Sequence, residues 1–132
     1  MFTLSLEECE EFISGDGAHL RELLHPDKAP LELRYSLAHA IVEPGSSTAP
    51  HRLRTSEVYY LLSGTGRMSI EDEMKDVGPQ ETVYIPPGAI QYITNTGVED
   101  LVFLCIVDPA WRPEDEEILL RHIEPFAAGG ES

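Results

Sequence analysis

Between residues 51 and 61 the side chains able to do chemistry fall at even separations. Successive side chains of a strand point to opposite faces, so His51, Leu53, Glu57, Tyr59 and Leu61 share one face if the strand runs unbroken. A histidine and a carboxylate converging on one interior are metal-ligand chemistry, whereas the leucine between them offers no donor. The same pair also reads as a buried His–Glu hydrogen bond without metal. Tyr59 has the right parity to offer a hydroxyl to a ligand. Arg52 and Arg54 alternate to the opposite face, where the ordinary role of an arginine is to pair with a carboxylate. His39, in the earlier segment SLAHAIV, is a candidate pocket residue and replacement ligand; the competing reading is a packed, hydrogen-bonded histidine. His19, His25 and His122 fit no ligand spacing and read as surface or arm residues.

Two blocks carry a family pattern. Gly45, His51, Glu57 and Gly64 keep the spacing G-x5-H-x-H-x3-4-E-x6-G, with Leu53 at the second histidine. Pro86, Gly88 and Asn95 keep G-x5-P-x-G-x2-H-x3-N, with Gln80 at the glycine and Gln91 at the histidine. Seven of ten positions match, and fifteen residues separate the blocks. The chain therefore resembles the cupin superfamily, a small single-domain member of conserved-barrel type. The resemblance covers residues 30 to 108 and implies an all-β double-stranded β-helix, a jelly-roll barrel with a central pocket. It also implies a divalent transition metal (Mn, Fe, Ni or Zn) held by His51, Glu57 and Gln91. Ureidoglycine aminohydrolases, another cupin family, resemble this chain in having a glutamine at the Gln91 position. Leu53, Tyr59 and His39 complete the expected pocket. Leu53 and Gln91 replace two of the four usual ligands, so a metal-free barrel stands beside the metal reading.

Positioning these residues takes many short strands. Apolar runs at Leu31 to Val42, Glu57 to Leu62, Gly66 to Ile70, Met74 to Val77, Thr82 to Ile85, Gln91 to Thr94 and Leu101 to Val107 are separated by turn residues. Strands this short bury themselves by closing into a barrel or double sheet. Ser5 and Glu8 have capping-box spacing, which predicts a short helix over Leu6 to Ile13. HLRELLHP reads as an arm strand. Pro113 and the acidic residues after it predict a helix in the tail, because negative charge suits a helix N-terminus. Trp111 is expected to pack over a barrel edge. The division is an N-terminal arm (1–30), a barrel (31–110) and an acidic tail (111–132).

With 24 acidic against 9 basic residues, a formal charge of −15, the chain repels nucleic acid and anionic membranes. No apolar stretch is long enough for a membrane helix. MFTLSLEECEEF lacks the basic start of a secretory signal, and two cysteines make no disulfide framework, so a cytoplasmic address is expected. Cys105 reads as a core filler. The expected partner besides a small-molecule ligand is a second copy, in a homodimer, because open sheet edges need cover. Two functions remain in view. One is a metal-dependent enzyme acting on a small organic or sugar-like substrate; the other is a metal-free ligand-binding or sensing barrel.

Overall fold

The computed structural model describes residues 1–119. Eleven strands form two antiparallel sheets among the described residues. In chain order they are β1 (Phe12–Ile13), β2 (His19–Leu24), β3 (Ser36–Val42), β4 (His51–Leu53), β5 (Ser56–Ser63), β6 (Gly66–Ile70), β7 (Glu73–Val77), β8 (Thr82–Ile85), β9 (Gln91–Asn95), β10 (Leu101–Asp108) and β11 (Glu116–Ile118). One sheet has the order β1-β2-β3-β10-β5-β8 and the other β11-β4-β9-β6-β7. No helix of the described residues is long and apolar enough to cross a membrane.

The strand carrying the first motif is broken, but its parity is not. Arg54 and Thr55 turn the chain from one sheet to the other between β4 and β5. Residues 51, 53, 55, 57, 59 and 61 are nevertheless all buried, and 52 and 54 are exposed. Alternation survives although Arg54 and Thr55 form a bend between the two strands.

Three expectations need correction. The helix over Leu6 to Ile13 is only a single 3-10 turn, Leu6–Glu8, with the Ser5 N–H donating to Glu8 Oε1 at 3.0 Å. Phe12 and Ile13 are taken instead into pairing with Leu20 and His19. The tail likewise forms one 3-10 turn, Pro113–Asp115, and then strand β11 rather than a helix. β11 covers the edge of β4, with Ile118 opposite His51 and Glu116 opposite Leu53, and Arg52 meets Glu117 at 2.8 Å. Satisfying an open strand edge outweighs the helix-start signal here. The rest of the expected tail helix, and His122, lie outside the described residues. Finally, the run Leu31 to Val42 is strand only from Ser36.

The core fills one end of the barrel. Val42, Leu61, Met68, Val77, Ile93 and Leu101 are packed there, almost inaccessible to solvent. The pairing of β3, β10 and β5 carries the chain from this end to the other, where Ser36, Val107 and Glu57 lie side by side. On β3 the inward residues toward that second end are Ala40, Ala38 and Ser36, too small to meet the opposite wall. A cavity of about 460 Å³ results. The arm closes its flank: β2 pairs with β3 of the same barrel, with Leu20 opposite Ala40. Gly64 must be glycine, since a Cβ there would lie 2.5 Å from the Asp100 carbonyl oxygen and its φ is +85°.

Candidate functional site

The cavity wall is built from small steps of strand parity. β5 supplies Glu57 and Tyr59, β4 supplies His51 and Leu53, and β10 supplies Phe103, Cys105 and Val107. Tyr59 stacks on Phe103 with ring centroids 4.4 Å apart, which fixes the ring and aims its hydroxyl across the barrel. There it donates to Gln91 Oε1 at 3.0 Å, and Gln91 Nε2 donates to Glu57 Oε1 at 2.7 Å. Gln91 is completely buried. Its amide oxygen and nitrogen are both engaged, so it acts as a bridge between tyrosine and carboxylate.

Glu57 is 7% exposed, and its second oxygen has no hydrogen-bond partner among the described residues. That oxygen is not sealed inside protein, because Thr55 Oγ1 is the one unpartnered buried side-chain N or O atom in that set. It opens onto the cavity that Glu57 lines. Burial pushes the carboxyl up to about 7; the Gln91 hydrogen bond and His51 pull the other way, and Asp16 and Glu116 add to the rise. Tyr59 and Cys105 are both pushed well up by burial, so neither the phenol nor the thiol is poised as an anion.

His51 is 2% exposed and aligned by its backbone. Its Nδ1 lies 2.8 Å from the Ala49 carbonyl oxygen, which can only accept, so Nδ1 carries the hydrogen. Nε2 is left toward Asp16 Oδ2 at 3.5 Å. Asp16 comes from the turn joining β1 to β2, where Ser14 Oγ and the Ala18 N–H both donate to Asp16 Oδ1. β11 brings Glu116 beside the same turn; it accepts from Trp111 Nε1 at 3.2 Å. Burial raises Glu116 as well; His51 lowers it and Asp16 raises it. Four titratable side chains, Asp16, His51, Glu57 and Glu116, thus line one cavity.

Asp16 and Glu116 were not among the residues singled out from the sequence. Each is one of 24 acidic residues, and each reaches the site through the arm or the tail, where no motif marks it. The GDG turn around Asp16 was the one local signal available. His39 is a correction: it lies on the face of β3 opposite Ala38 and Ala40, across from Arg21, and does not line the cavity. Strand parity alone places it outside. His25 also differs from expectation, being 6% exposed: its Nε2 donates to the Trp111 carbonyl at 2.8 Å and its Nδ1 accepts the Asp27 N–H at 3.0 Å. Trp111, expected over a barrel edge, lines the cavity and is 36% exposed.

The donors fit a divalent metal poorly. Leu53 has nothing to coordinate with, the Gln91 oxygen already accepts from Tyr59, and one Glu57 oxygen is held by Gln91. No group of three or more His, Cys, Asp or Glu side chains is disposed to hold a metal ion among the described residues.

Comparison with known proteins agrees with the architecture. An uncharacterized protein of Methanocaldococcus jannaschii is 41% identical over 114 residues, which are 86% of this chain and 90% of that one. Mannose-1-phosphate guanylyltransferase ManC of Salmonella typhimurium is 30% identical over 118 residues, 82% of this chain but only 24% of that enzyme. The chain therefore spans about a quarter of ManC. Among solved structures, the polyketide cyclase RemF from Streptomyces resistomycificus superposes with a TM-score of 0.76 at 24% identity, covering 98% of this chain and 92% of RemF. The cupin-domain family model matches residues 38–107, the stretch that holds both motif blocks, and the chain belongs to that family.

Proposed function

We propose that this protein binds a small organic molecule in the barrel cavity, and that Glu57 gives a proton to it or takes one from it. The observation that carries this reading is the chain Tyr59–Gln91–Glu57, which fixes one carboxyl oxygen and leaves the other open to the cavity. A carboxyl held near neutrality at physiological pH is matched to proton transfer in either direction. The strand walls are largely apolar, through Leu20, Leu53, Phe103 and Val107, with Asp16, His51 and Glu116 beside them, and the volume suits a compact ligand. The names of the similar proteins, a polyketide cyclase and a mannose-1-phosphate guanylyltransferase, are in keeping with small organic substrates. Native mass spectrometry of the purified protein incubated with a panel of small amines, sugars, alcohols and carboxylates tests it. Binding of a panel member by the wild type, lost when Ala38→Leu fills the cavity, is the expected result. A panel that leaves both proteins empty would sink the proposal.

One observation favours a second reading, a divalent metal held by His51, Glu57 and Gln91. The Ala49 carbonyl holds His51 Nδ1–H and leaves Nε2 facing Asp16 Oδ2 at 3.5 Å, and a backbone-anchored Nδ1–H is the arrangement a ligating histidine has. This reading requires Gln91 to release the Tyr59 hydroxyl. Elemental analysis separates the two: stoichiometric metal lost in His51→Ala and tightened in Gln91→His favours the metal.

We also propose a homodimer. The outer face of the six-stranded sheet presents Leu37, Ile41, Val58, Tyr60, Leu104 and Ile106, an apolar surface left half-buried. A second copy, rather than a differently charged partner, suits a face with so few charges.

A further inference from the structure

The charge around the cavity selects what enters it. Its lining contains Asp16, Glu22, Glu57 and Glu116 but just one Lys or Arg among the described residues, Lys28, and Lys28 Nζ is held by Glu22 at 2.6 Å. After that pair is set aside, three carboxyl groups and the imidazole of His51 remain. Asp16, on the β1–β2 turn, and Glu116, on β11, lie close together at the barrel mouth, since Glu116 Oε1 would be 3.9 Å from a Cβ on the neighbouring Gly15, while Glu57 has an oxygen unpartnered. The rest of the wall is apolar, with Leu20, Leu53, Phe103 and Val107 on the strands and Phe12 and Trp111 toward solvent.

We infer that the cavity takes a protonated amine carried on a compact apolar body and rejects organic anions. This deepens the small-molecule reading above and rests on it. An anion entering here would be stripped of water beside three carboxyl groups with no free Lys or Arg to receive it, and an unpaired buried charge is strongly disfavoured. An ammonium group offers three donors to the same oxygens and relieves their mutual repulsion. Trp111 adds an aromatic ring at the mouth, and its edge is already anchored to Glu116. The likeness to part of a mannose-1-phosphate enzyme therefore does not extend, on this reading, to a phosphorylated ligand.

Three probes of one shape isolate the charge: benzylamine, benzyl alcohol and benzoate. Calorimetric titration to about 10 mM in 150 mM potassium chloride, with surface attraction to the acidic protein screened, should rank them in that order. Benzylamine should bind at least tenfold more tightly than the alcohol, and benzoate should not bind. Asp16→Asn and Glu116→Gln should each weaken benzylamine about tenfold and leave the alcohol unchanged. Ala38→Leu should abolish benzylamine binding; heat that survives this change comes from the surface and overturns the inference. Equal or tighter binding of the alcohol or benzoate overturns the amine preference and keeps the pocket. If none of the three binds, the small-molecule reading falls with it. Manganese or zinc that displaces benzylamine, and whose affinity drops in Asp16→Asn, would reassign these carboxylates to a metal. Circular dichroism of each variant checks that it is folded.

Discussion

Gln91 is bound to Glu57 at 2.7 Å and is oriented from its other end by the Tyr59 hydroxyl. The phenol, far too weak an acid here to ionise, keeps its proton and donates it to the amide oxygen, while the amide nitrogen donates to the carboxyl. Glutamine at this position therefore replaces a metal-type donor with a directional bridge. The bridge accounts for one Glu57 oxygen and leaves the other to the cavity.

Tyr59→Phe removes the donor and leaves a buried amide oxygen unsatisfied. It should destabilise the fold by about 1–3 kcal/mol. Pairing it with Gln91→Leu should cost less than the sum of the two single changes, because each breaks the same chain. Urea unfolding of the two single variants and the double variant measures this coupling. Strict additivity would mean that the chain is not formed in solution.

Glu57 gives the protein a pH dependence of definite sign. Its carboxyl is raised by burial from 4.5 to about 7, so the folded state holds the proton more tightly than the unfolded one. This contribution is fully present below about pH 4.5 and is lost as pH rises through about 7. By pH 8 the loss is on the order of 3 kcal/mol. Glu57→Gln keeps an oxygen for Gln91 and cannot ionise. The variant should match the wild type near pH 4.5 and exceed it in stability above pH 7. Parallel stability–pH curves for the two proteins would contradict the burial of a titrating carboxyl.

Gln80 stands where the family motif has glycine, with φ at +73° and its side chain exposed. A residue with a Cβ pays roughly 1 kcal/mol in this left-handed region. Gln80→Gly should relieve that strain, offset in part by the freer unfolded chain, and raise the melting temperature by a few degrees. A lower melting temperature would mean that the side chain makes a stabilising contact.

Local features of the chain carried most of the barrel. The even spacing of His51, Leu53, Glu57, Tyr59 and Leu61 predicts a shared face, and that face persists through the bend at Arg54 and Thr55, where Thr55 is buried and Arg54 exposed. Asn95 is legible as a motif residue, and its side chain ties the end of β9 to the Val42 and Glu99 carbonyls. What stayed hidden was long-range. Asp16 reaches His51 across 35 positions of sequence because β2 joins β3, and Glu116 does so because β11 covers β4. No local pattern distinguishes either from the other carboxylates. The helices expected at both ends failed for one reason: a capping signal is worth about 1 kcal/mol, and an open strand edge nearby competes for the same backbone groups.

The apolar outer face of the six-stranded sheet gives the last prediction. At −15 per chain, two copies repel one another over most of their surface, so association should need both the largely apolar face and some salt. Light scattering at micromolar protein in 150 mM potassium chloride should give twice the 14.7 kDa monomer mass. Lowering the salt to about 10 mM, where the screening length is near 30 Å, should shift the population toward monomer. Leu104 sits midway across this face, opposite His39 on one neighbour and Tyr60 on the other. Leu104→Glu would bury a charge at the centre of the contact and should yield monomer at every salt concentration, with the barrel fold retained by circular dichroism. A wild type that stays monomeric at 150 mM salt, or a Leu104→Glu protein that remains dimeric, would place the contact elsewhere or remove it.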